Sequence, residues 1–310
     1  MSLHDTLVLK QYSPKYSLAH LTLLGCSVPE LTYIAARAGY DAISPRLIPM
    51  GVKGEFPFSP HDKEMLRATR NALKVTGIQV HDIELARIAD NVDVRSYEPA
   101  MEIGAELGAD KLIASAWTTS RNNRNLVIDT YGQICDLADN YGLSVALEFP
   151  SFSRLSNLAE AADIVRAVDR PNAEILIDTL YMHMSRVSPD ELEGLPSNWF
   201  SFIHICDVLP GIPDSTSGMI QIARDSRLYP GEGCVDFTSI IERLPPVNYS
   251  IELPNRSRVA ELGYEEHARR CLQTAKRKFG SVRSKQITGA RSALVHNQSN
   301  EESYGSRTHI

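Results

Sequence analysis

Residues 137–149, LADNYGLSVALEF, join a helix-like segment to a strand-like segment through Gly142. Glycine suits the left-handed position that ends a helix, and the apolar, partly β-branched run after it is typical of a buried parallel strand. Three more copies of this unit precede it, and they are YIAARAGYDAISPRLI (33–48), RNALKVTGIQVHDIEL (70–85) and EIGAELGADKLIASA (102–116). The repeated unit predicts helices that alternate with parallel strands.

Four further strand-like runs raise the number of predicted strands to eight. They are LAHLTLLG (18–25), AEILIDTLY (173–181), SFIHICDV (201–208) and NYSIELP (248–254). Helical segments alternate with the strands, and Asn157 is a candidate cap for the helix that follows it. Eight βα units favour an α/β fold of the closed (β/α)₈ TIM-barrel type over an open Rossmann-type sheet, and no G-x-G-x-x-G follows a strand. We therefore expect one barrel domain over residues 1–280.

The composition is that of an ordinary globular protein, with 43% hydrophobic and 23% charged residues in a chain of 310. The net charge of −6 argues against a nucleic-acid partner, because binding to phosphates needs clustered Lys and Arg. The last segment, residues 281–310, is polar and poor in aromatic residues, so we expect it to be a flexible tail.

The cysteine pattern and the N-terminal sequence indicate the cellular compartment in which we expect the protein. Five cysteines lie far apart and form no C-x-x-C pair, which predicts reduced thiols; they are Cys26, Cys135, Cys206, Cys234 and Cys271. The start MSLHDTLVLKQYSPKY (1–16) lacks the apolar core of a signal peptide, and no run approaches the roughly 18 apolar residues that span a bilayer. We expect a cytoplasmic protein without a membrane partner, and the sequence leaves open a homo-oligomer or a partner subunit.

Four successive strand-like runs close on a polar side chain. Each residue is the last or the next-to-last of its run: Glu148 in SVALEF, Asp178 in EILID, His204 in FIHI and Glu252 in YSIEL. In a TIM barrel the C-terminal ends of the strands form the active site, so these side chains would converge there. Three carboxylates brought together repel one another unless protons or a cation neutralise them. We predict one divalent ion, with Mn²⁺ preferred over Mg²⁺, Co²⁺ or Zn²⁺. The alternative interpretation is four separate polar groups that bind backbone amides.

These residues lie in segments that resemble the xylose isomerase-like TIM-barrel superfamily, the sugar phosphate isomerase/epimerase group. That superfamily also contains ketose 3-epimerases, 3-dehydroshikimate dehydratases and endonuclease IV. The segments are ALEFPSFSRLSNLAEAADIVRAVDRPNAEILIDTLY (146–181), SFIHICDV (201–208), RLYPGEGCVDF (227–237) and YSIELPN (249–255). A weaker resemblance extends through residues 18–47.

The resemblance implies roles for individual residues. It implies that the metal ligands are Glu148, Asp178, His204 and Glu252, and that the two glutamates face each other across the substrate as acid/base catalysts. It also implies that Arg227, in R-x-x-P-G, contacts the substrate. Asp207, three residues past His204, matches an acid that orients the imidazole or the neighbouring loop.

One departure from the family pattern follows Asp178. Members of the family usually carry D-x-x-H here, with the histidine on a substrate oxygen, but this chain has Tyr181 in that place and His183 two residues further on. We treat both side chains as candidate substrate contacts. The change argues against ordinary ketose 3-epimerase activity, because a phenol and an imidazole differ in proton affinity and reach.

The first four strands supply further candidate contacts to the substrate, and these are His20, Arg46, Glu84 and Trp117. Each has a structural alternative. Arg46 binds either a substrate anion or an internal carboxylate. Trp117 and Phe149 either stack on the apolar face of a sugar or pack at the barrel mouth. His81, inside QVHDIEL, is expected to be an interior group.

The residues together predict a divalent-metal-dependent isomerase or epimerase that acts on a sugar, a cyclitol or a related hydroxy-carbonyl compound. A metal ion that binds a carbonyl and an adjacent hydroxyl group acidifies the neighbouring carbon, and a carboxylate can remove and return the proton. The alternative is a lyase on the same scaffold, similar to a 3-dehydroshikimate dehydratase or a C-glycoside deglycosidase, because the same enolate can expel a leaving group. A nuclease similar to endonuclease IV would need more histidines at the strand ends, and a non-catalytic barrel that binds a sugar or a partner is the remaining class.

Overall fold

Nine parallel strands form a single sheet in the computed structural model, which describes residues 12–119 and 123–305 and their side chains to residue 280. The strands are β1 (Tyr16–Ala19), β2 (Ala42–Ser44), β3 (Gln79–Val80), β4 (Ile83–Ile88), β5 (Lys111–Ala116), β6 (Ser144–Glu148), β7 (Ala173–Asp178), β8 (Phe202–Ile205) and β9 (Asn248–Ile251). Their order across the sheet is β3-β2-β1-β9-β8-β7-β6-β5-β4.

The two ends of this sheet are consecutive in the chain, so the sheet closes on itself. Only His81 and Asp82 separate β3 from β4; β3 pairs with β2, and β4 pairs with β5. Asp82 Oδ2 accepts a hydrogen bond from Ser44 Oγ at 2.5 Å and lies 2.8 Å from His81 Nδ1, so these polar contacts occur between β3 and β4. The predicted third strand is therefore divided in two, and the predicted TIM barrel is confirmed with nine strand segments instead of eight strands.

Helices follow the strands around the outside of the barrel. They are α1 (Val28–Ala38), α2 (Lys63–Thr76), α3 (Glu98–Glu106), α4 (Arg124–Asp139), α5 (Leu158–Val168), α6 (Thr179–Met184), α7 (Thr216–Asp225), α8 (Phe237–Arg243) and α9 (Arg256–Gly305), which is interrupted at Gly263. Asn157 caps α5 by accepting from Glu160 N at 2.9 Å, as predicted. Gly142 has a φ of 67° and turns the chain from α4 into β6, as its place in the repeated unit predicts.

The core has two parts. A small cluster consists of interior apolar side chains of β4 to β8, namely Leu85, Ile113, Ala146, Leu176 and Phe202. The larger cluster contains most of the other buried apolar side chains of the strands and helices. All five cysteines are free, and four of them are buried, as the absence of a paired pattern predicts.

The ends of the chain lie partly outside the described residues. Residues 306–310 and the side chains from residue 281 onward are not described, so the predicted flexible tail over residues 281–310 stays a prediction. Across the described part of the chain, no helix combines the length and the apolar character that crossing a membrane requires.

Candidate metal centre

The four predicted ligands lie together because side chains alternate along a strand. Glu148, Asp178 and His204 each stand two residues after a member of the interior cluster, so their side chains also face the inside of the barrel. Glu252 follows β9 directly, and the register pairs Asp178 with His204 on the neighbouring strand. The carboxyl ends of four adjacent strands, β6 to β9, therefore bring the four side chains to one place.

Their donor atoms form a compact, buried group. One ligand atom from each of Glu148, Asp178, His204 and Glu252 lies within 4.8 Å of the others, and all four residues are buried. His204 Nδ1 is 3.4 Å from Glu148 Oε1 and 3.5 Å from Glu252 Oε2. Three oxygen ligands and one imidazole suit a hard or borderline divalent ion.

Several of these atoms have no hydrogen-bond partner. Both ring nitrogens of His204 and Oε1 of Glu148 are buried and form no hydrogen bond, because the contacts of Nδ1 with the two carboxylates lack hydrogen-bond geometry. A buried polar atom without a partner is costly, and native structures rarely keep one without a compensating group. A cation among the four side chains would bind Glu148 Oε1 and one ring nitrogen of His204, so the residues present fit a metal ion.

The carboxylates of the cluster differ in their electrostatic environment. Burial raises the pKa of Glu148 to about 7. Burial also acts on Glu252, but the guanidinium of Arg227 and the imidazole of His204 hold the pKa of Glu252 well below its ordinary value. Burial opposes the charged form of His204, yet Glu252 and Glu148 raise its pKa well above 6.5. In the metal-free protein Glu148 therefore holds a proton more readily than Glu252 does.

Arg227 contacts two of the proposed ligands from the buried side of the cluster. Its Nη1 donates to Asp178 Oδ2 at 2.8 Å, and its Nη2 lies 2.7 Å from Glu252 Oε2. Its Nε donates to the carbonyl oxygen of Ala223 at 2.8 Å, and the side chain is completely buried. The guanidinium of Arg227 thus binds two of the proposed ligands and is not among the residues that line the cavity described below, and the expected contact with the substrate stays a prediction.

Asp207 holds the loop that contains P-G-E-G. Its two carboxylate oxygens accept from the backbone N–H groups of Val208, Gly231, Gly233 and Val235, at 2.8–3.0 Å. A Cβ at Gly233 would lie 2.1 Å from the carbonyl oxygen of Val208, so the close approach requires glycine. Of the two expected roles for Asp207, the structure shows the contact with the loop.

A cavity of about 670 Å³ opens over the cluster. Its floor is polar and includes Glu148, His204 and Glu252 together with an ion pair between Arg46 and Glu84. Arg46 Nη2 lies 2.6 Å from Glu84 Oε2, while Oε1 of Glu84 is buried without a partner. Burial raises the pKa of Glu84 to about 7. Arg46 and Glu84 are thus placed where the sequence predicted substrate contacts.

Three aromatic side chains, Trp117, Phe152 and Tyr181, form one side of the cavity, which we call the aromatic wall. The ring centroids of Trp117 and Phe152 are 5.9 Å apart, and those of Phe152 and Tyr181 are 5.8 Å apart. Trp117 also donates from Nε1 to Ser115 Oγ at 2.7 Å. Of these three side chains, Trp117 and Tyr181 were predicted to contact the substrate. Phe152 was missed in favour of Phe149, which is completely buried and packs in the core.

Two other predicted contacts do not reach the cavity. His20 has both ring nitrogens bound by the backbone, with Nε2 2.9 Å from the carbonyl oxygen of Cys26 and Nδ1 accepting from Arg46 N at 3.0 Å. His183 Nε2 lies 3.3 Å from the carbonyl oxygen of Gly211. Neither histidine is among the described residues that line the cavity, so their expected contacts with the substrate stay predictions.

Comparisons with known proteins agree with this fold. A family model described as xylose isomerase-like TIM barrel matches residues 33–275. Inosose isomerase of Bacillus subtilis is 23% identical over 202 residues, which are 63% of this chain and 70% of that protein.

Two solved structures show the same fold. The IOLI protein with a zinc atom has a TM-score of 0.68 at 20% identity, over 87% of this chain and 98% of that chain. D-allulose 3-epimerase from Methylomonas sp., in complex with D-allulose, has a TM-score of 0.60 at 19% identity, over 86% of this chain and 97% of that chain.

Proposed function

Because the chain belongs to the xylose isomerase-like TIM barrel family, we propose that it is a divalent-metal-dependent isomerase or epimerase. Its substrate is a sugar, a cyclitol or a related hydroxy-carbonyl compound. The observation that carries the proposal is the set of buried ligand atoms of His204 and Glu148 that form no hydrogen bond at the floor of an open cavity. Strand-end donor atoms beneath a cavity of this size are the arrangement expected of a TIM-barrel active site.

In this proposal the metal ligands are Glu148, Asp178, His204 and Glu252. A bound divalent ion supplies a Lewis acid that polarises a carbonyl oxygen of the substrate. Arg227 keeps Asp178 and Glu252 in position from behind. Mn²⁺ is the ion that we propose, and the zinc atom of the IOLI protein makes Zn²⁺ the main competitor.

Glu148 and Glu252 move the proton. Both carboxylates line the cavity and flank the same nitrogen of His204, so a substrate carbon above the floor can be reached from either of them. One carboxylate removes the proton next to the carbonyl group, and return of a proton to the other face gives the epimer. Glu84 and Arg46 bind hydroxyl groups of the substrate, and the aromatic wall packs against the apolar face of its ring.

The proposal is tested by hydrogen exchange at carbon. The Mn²⁺-loaded protein is incubated in D₂O with a panel of inososes and ketoses, and NMR follows the signal of the proton next to the carbonyl group. We expect this signal to disappear for at least one compound, and Glu148→Gln to slow its loss by about 10²–10⁴-fold. The control is Glu242→Gln, which changes an exposed residue outside the cavity lining. Absence of exchange with every compound contradicts the proposal.

The alternative is a lyase, which would use the same residues to remove the same proton and then expel a leaving group. Mass spectrometry of the products separates the two reactions, because an isomer keeps the mass of the substrate and a lyase product does not. A cytoplasmic location, a homo-oligomer or partner subunit, and the absence of a nucleic-acid partner stay predictions from the sequence.

A further inference from the structure

The cavity is larger than a single sugar requires. A six-membered sugar has about 12 non-hydrogen atoms, and at the roughly 30 Å³ that one water molecule takes up in the liquid it would fill at most about 360 Å³. The cavity of about 670 Å³ therefore has space for a second group of similar size. Pockets of about 300–1,000 Å³ are the usual size for drug-sized ligands.

The side of the cavity across from the aromatic wall carries several aliphatic side chains among polar ones such as Lys53, Gln221 and Arg256. Its aliphatic residues, which we call the aliphatic wall, are Leu24, Met50, Val52, Ile220 and Val259. They follow β1, β2, β8 and β9, whereas the aromatic wall follows β5, β6 and β7. In the order of the sheet, β1 lies opposite β6, so the two walls face each other over the polar floor.

Part of the aliphatic wall has no other packing partner in the core. Leu24, Val52 and Ile220 are half-buried, and none of them belongs to either hydrophobic cluster of the described residues. Apolar side chains that line a cavity gain free energy when an apolar group covers them. Apolar patches of this kind at a cavity are typical of ligand-binding sites.

The aliphatic wall is held in place and is connected to the polar floor. The Glu55 carboxylate accepts from the backbone N–H groups of Met50, Gly51 and Val52, at 2.7–3.2 Å. Arg46, which lines the floor, has Nη1 3.5 Å from Glu55 Oε1. The part of the wall formed by Met50 and Val52 is therefore fixed by Glu55 and is continuous with the proposed catalytic floor.

We propose that the substrate is a glycoside-like compound, in which a hydroxy-carbonyl sugar carries an apolar substituent such as a phenyl group or a short alkyl chain. The sugar lies on the polar floor against the aromatic wall, and the substituent covers the aliphatic wall. This inference rests on the proposed function for the sugar end. The competing substituent is a phosphate, because Lys53 and Arg224 also line the cavity.

The test compares three keto-glycosides that share one sugar, in which a single ring hydroxyl is oxidised to a carbonyl. They are the methyl glycoside, the phenyl glycoside and the methyl glycoside phosphorylated at its primary hydroxyl. Calorimetry gives the Kd of each for the Mn²⁺-loaded protein, and exchange in D₂O is measured in parallel. We expect the phenyl compound to bind at least about tenfold more tightly than the methyl compound.

A matched pair of variants assigns this preference to the aliphatic wall. Leu24→Asn is expected to reduce the ratio of the two Kd values to less than about threefold, because it places a polar group in the wall. Leu209→Asn is the control, since Leu209 is 63% exposed and does not line the cavity. Thermal unfolding verifies that both variants are folded.

The outcomes separate the two proposals. Equal affinity for the methyl and phenyl compounds, tightest binding of the phosphorylated compound, a ratio unchanged in Leu24→Asn, or no binding of any compound would each overturn the proposed substituent. Tight binding of the phenyl compound without hydrogen exchange in any of the three would support the apolar site and count against the proposed reaction.

Discussion

Arg227 contacts Glu252 at two points: its Nη2 lies 2.7 Å from the carboxylate Oε2, and its Nη1 donates to the main-chain carbonyl oxygen at 3.0 Å. The same Nη1 donates to Asp178 Oδ2 at 2.8 Å. A planar guanidinium can hold two carboxylates at a fixed separation, which a single ammonium group cannot do. Arg227 is therefore a positioning residue for two of the four proposed ligands.

We expect Arg227→Lys to weaken Mn²⁺ binding by about 10–100-fold, because lysine keeps the charge but loses the fork that holds Asp178 and Glu252. A titration of the metal-free protein with Mn²⁺ measures the effect. Arg70→Lys is the control, since Arg70 forms an exposed ion pair with Glu106 far along the chain from the ligands. Unchanged Mn²⁺ affinity in a folded Arg227→Lys protein would show that the contact has no positioning role.

Glu84 should act on the substrate and not on the metal. Its Oε1 has no partner and its side chain lines the cavity, so we expect it to accept from a substrate hydroxyl group. Glu84→Gln should lower kcat/KM for hydrogen exchange by about 10–100-fold, because the amide weakens a charge-assisted hydrogen bond. Mn²⁺ affinity should stay within about twofold of the wild type. The assignment fails if kcat/KM is unaffected or if Mn²⁺ binding is lost instead.

Buried His267 should make folding depend on pH. Its Nδ1 is 2.9 Å from Tyr229 Oη, its Nε2 is 3.0 Å from the carbonyl oxygen of Leu253, and burial lowers its pKa from 6.5 to about 4. Between pH 6.5 and pH 4 the unfolded chain binds more protons at this site than the folded protein does. The stability that neutral His267 contributes is therefore complete above pH 6.5 and is lost as the pH falls.

This dependence can be isolated with His267→Gln. We compare the free energy of unfolding of the wild type with that of the variant at two pH values. The difference, wild type minus variant, should be about 1–2 kcal/mol smaller at pH 5 than at pH 7, because only the wild type contains the histidine with the lowered pKa. Urea unfolding of both proteins at the two pH values measures the difference, and exposed His61→Gln is the control. A gap that is the same at both pH values would rule out the linkage.

The positions of the proposed ligands could be predicted because strand geometry determines them. Glu148, Asp178, His204 and Glu252 close four successive strand-like runs, and parallel strands place their carboxyl ends at one end of a barrel. A side chain at a strand end has a direction that alternation fixes. The structure accordingly brings their donor atoms within 4.8 Å of one another.

Side chains outside this regular geometry were harder to predict. Arg227 lies in a loop, and its long side chain points to the buried side of the ligands. The R-x-x-P-G pattern does not predict this direction. His20 was assigned from its place after the first strand, but its ring binds the backbone on both sides. The third predicted strand is divided at His81 and Asp82, where Ser44 Oγ donates to Asp82, although the run looks continuous in sequence.

The most direct test of the metal centre is an equilibrium titration of the metal-free protein with Mn²⁺. We predict one ion per chain and a rise in the thermal unfolding midpoint, because an ion that binds only the folded state stabilises it. His204→Gln should weaken binding at least about 100-fold, whereas His61→Gln should leave it unchanged. Failure of the wild type to bind Mn²⁺, Zn²⁺, Co²⁺ or Mg²⁺, or binding that is equally tight in His204→Gln, would contradict the assignment of the four ligands.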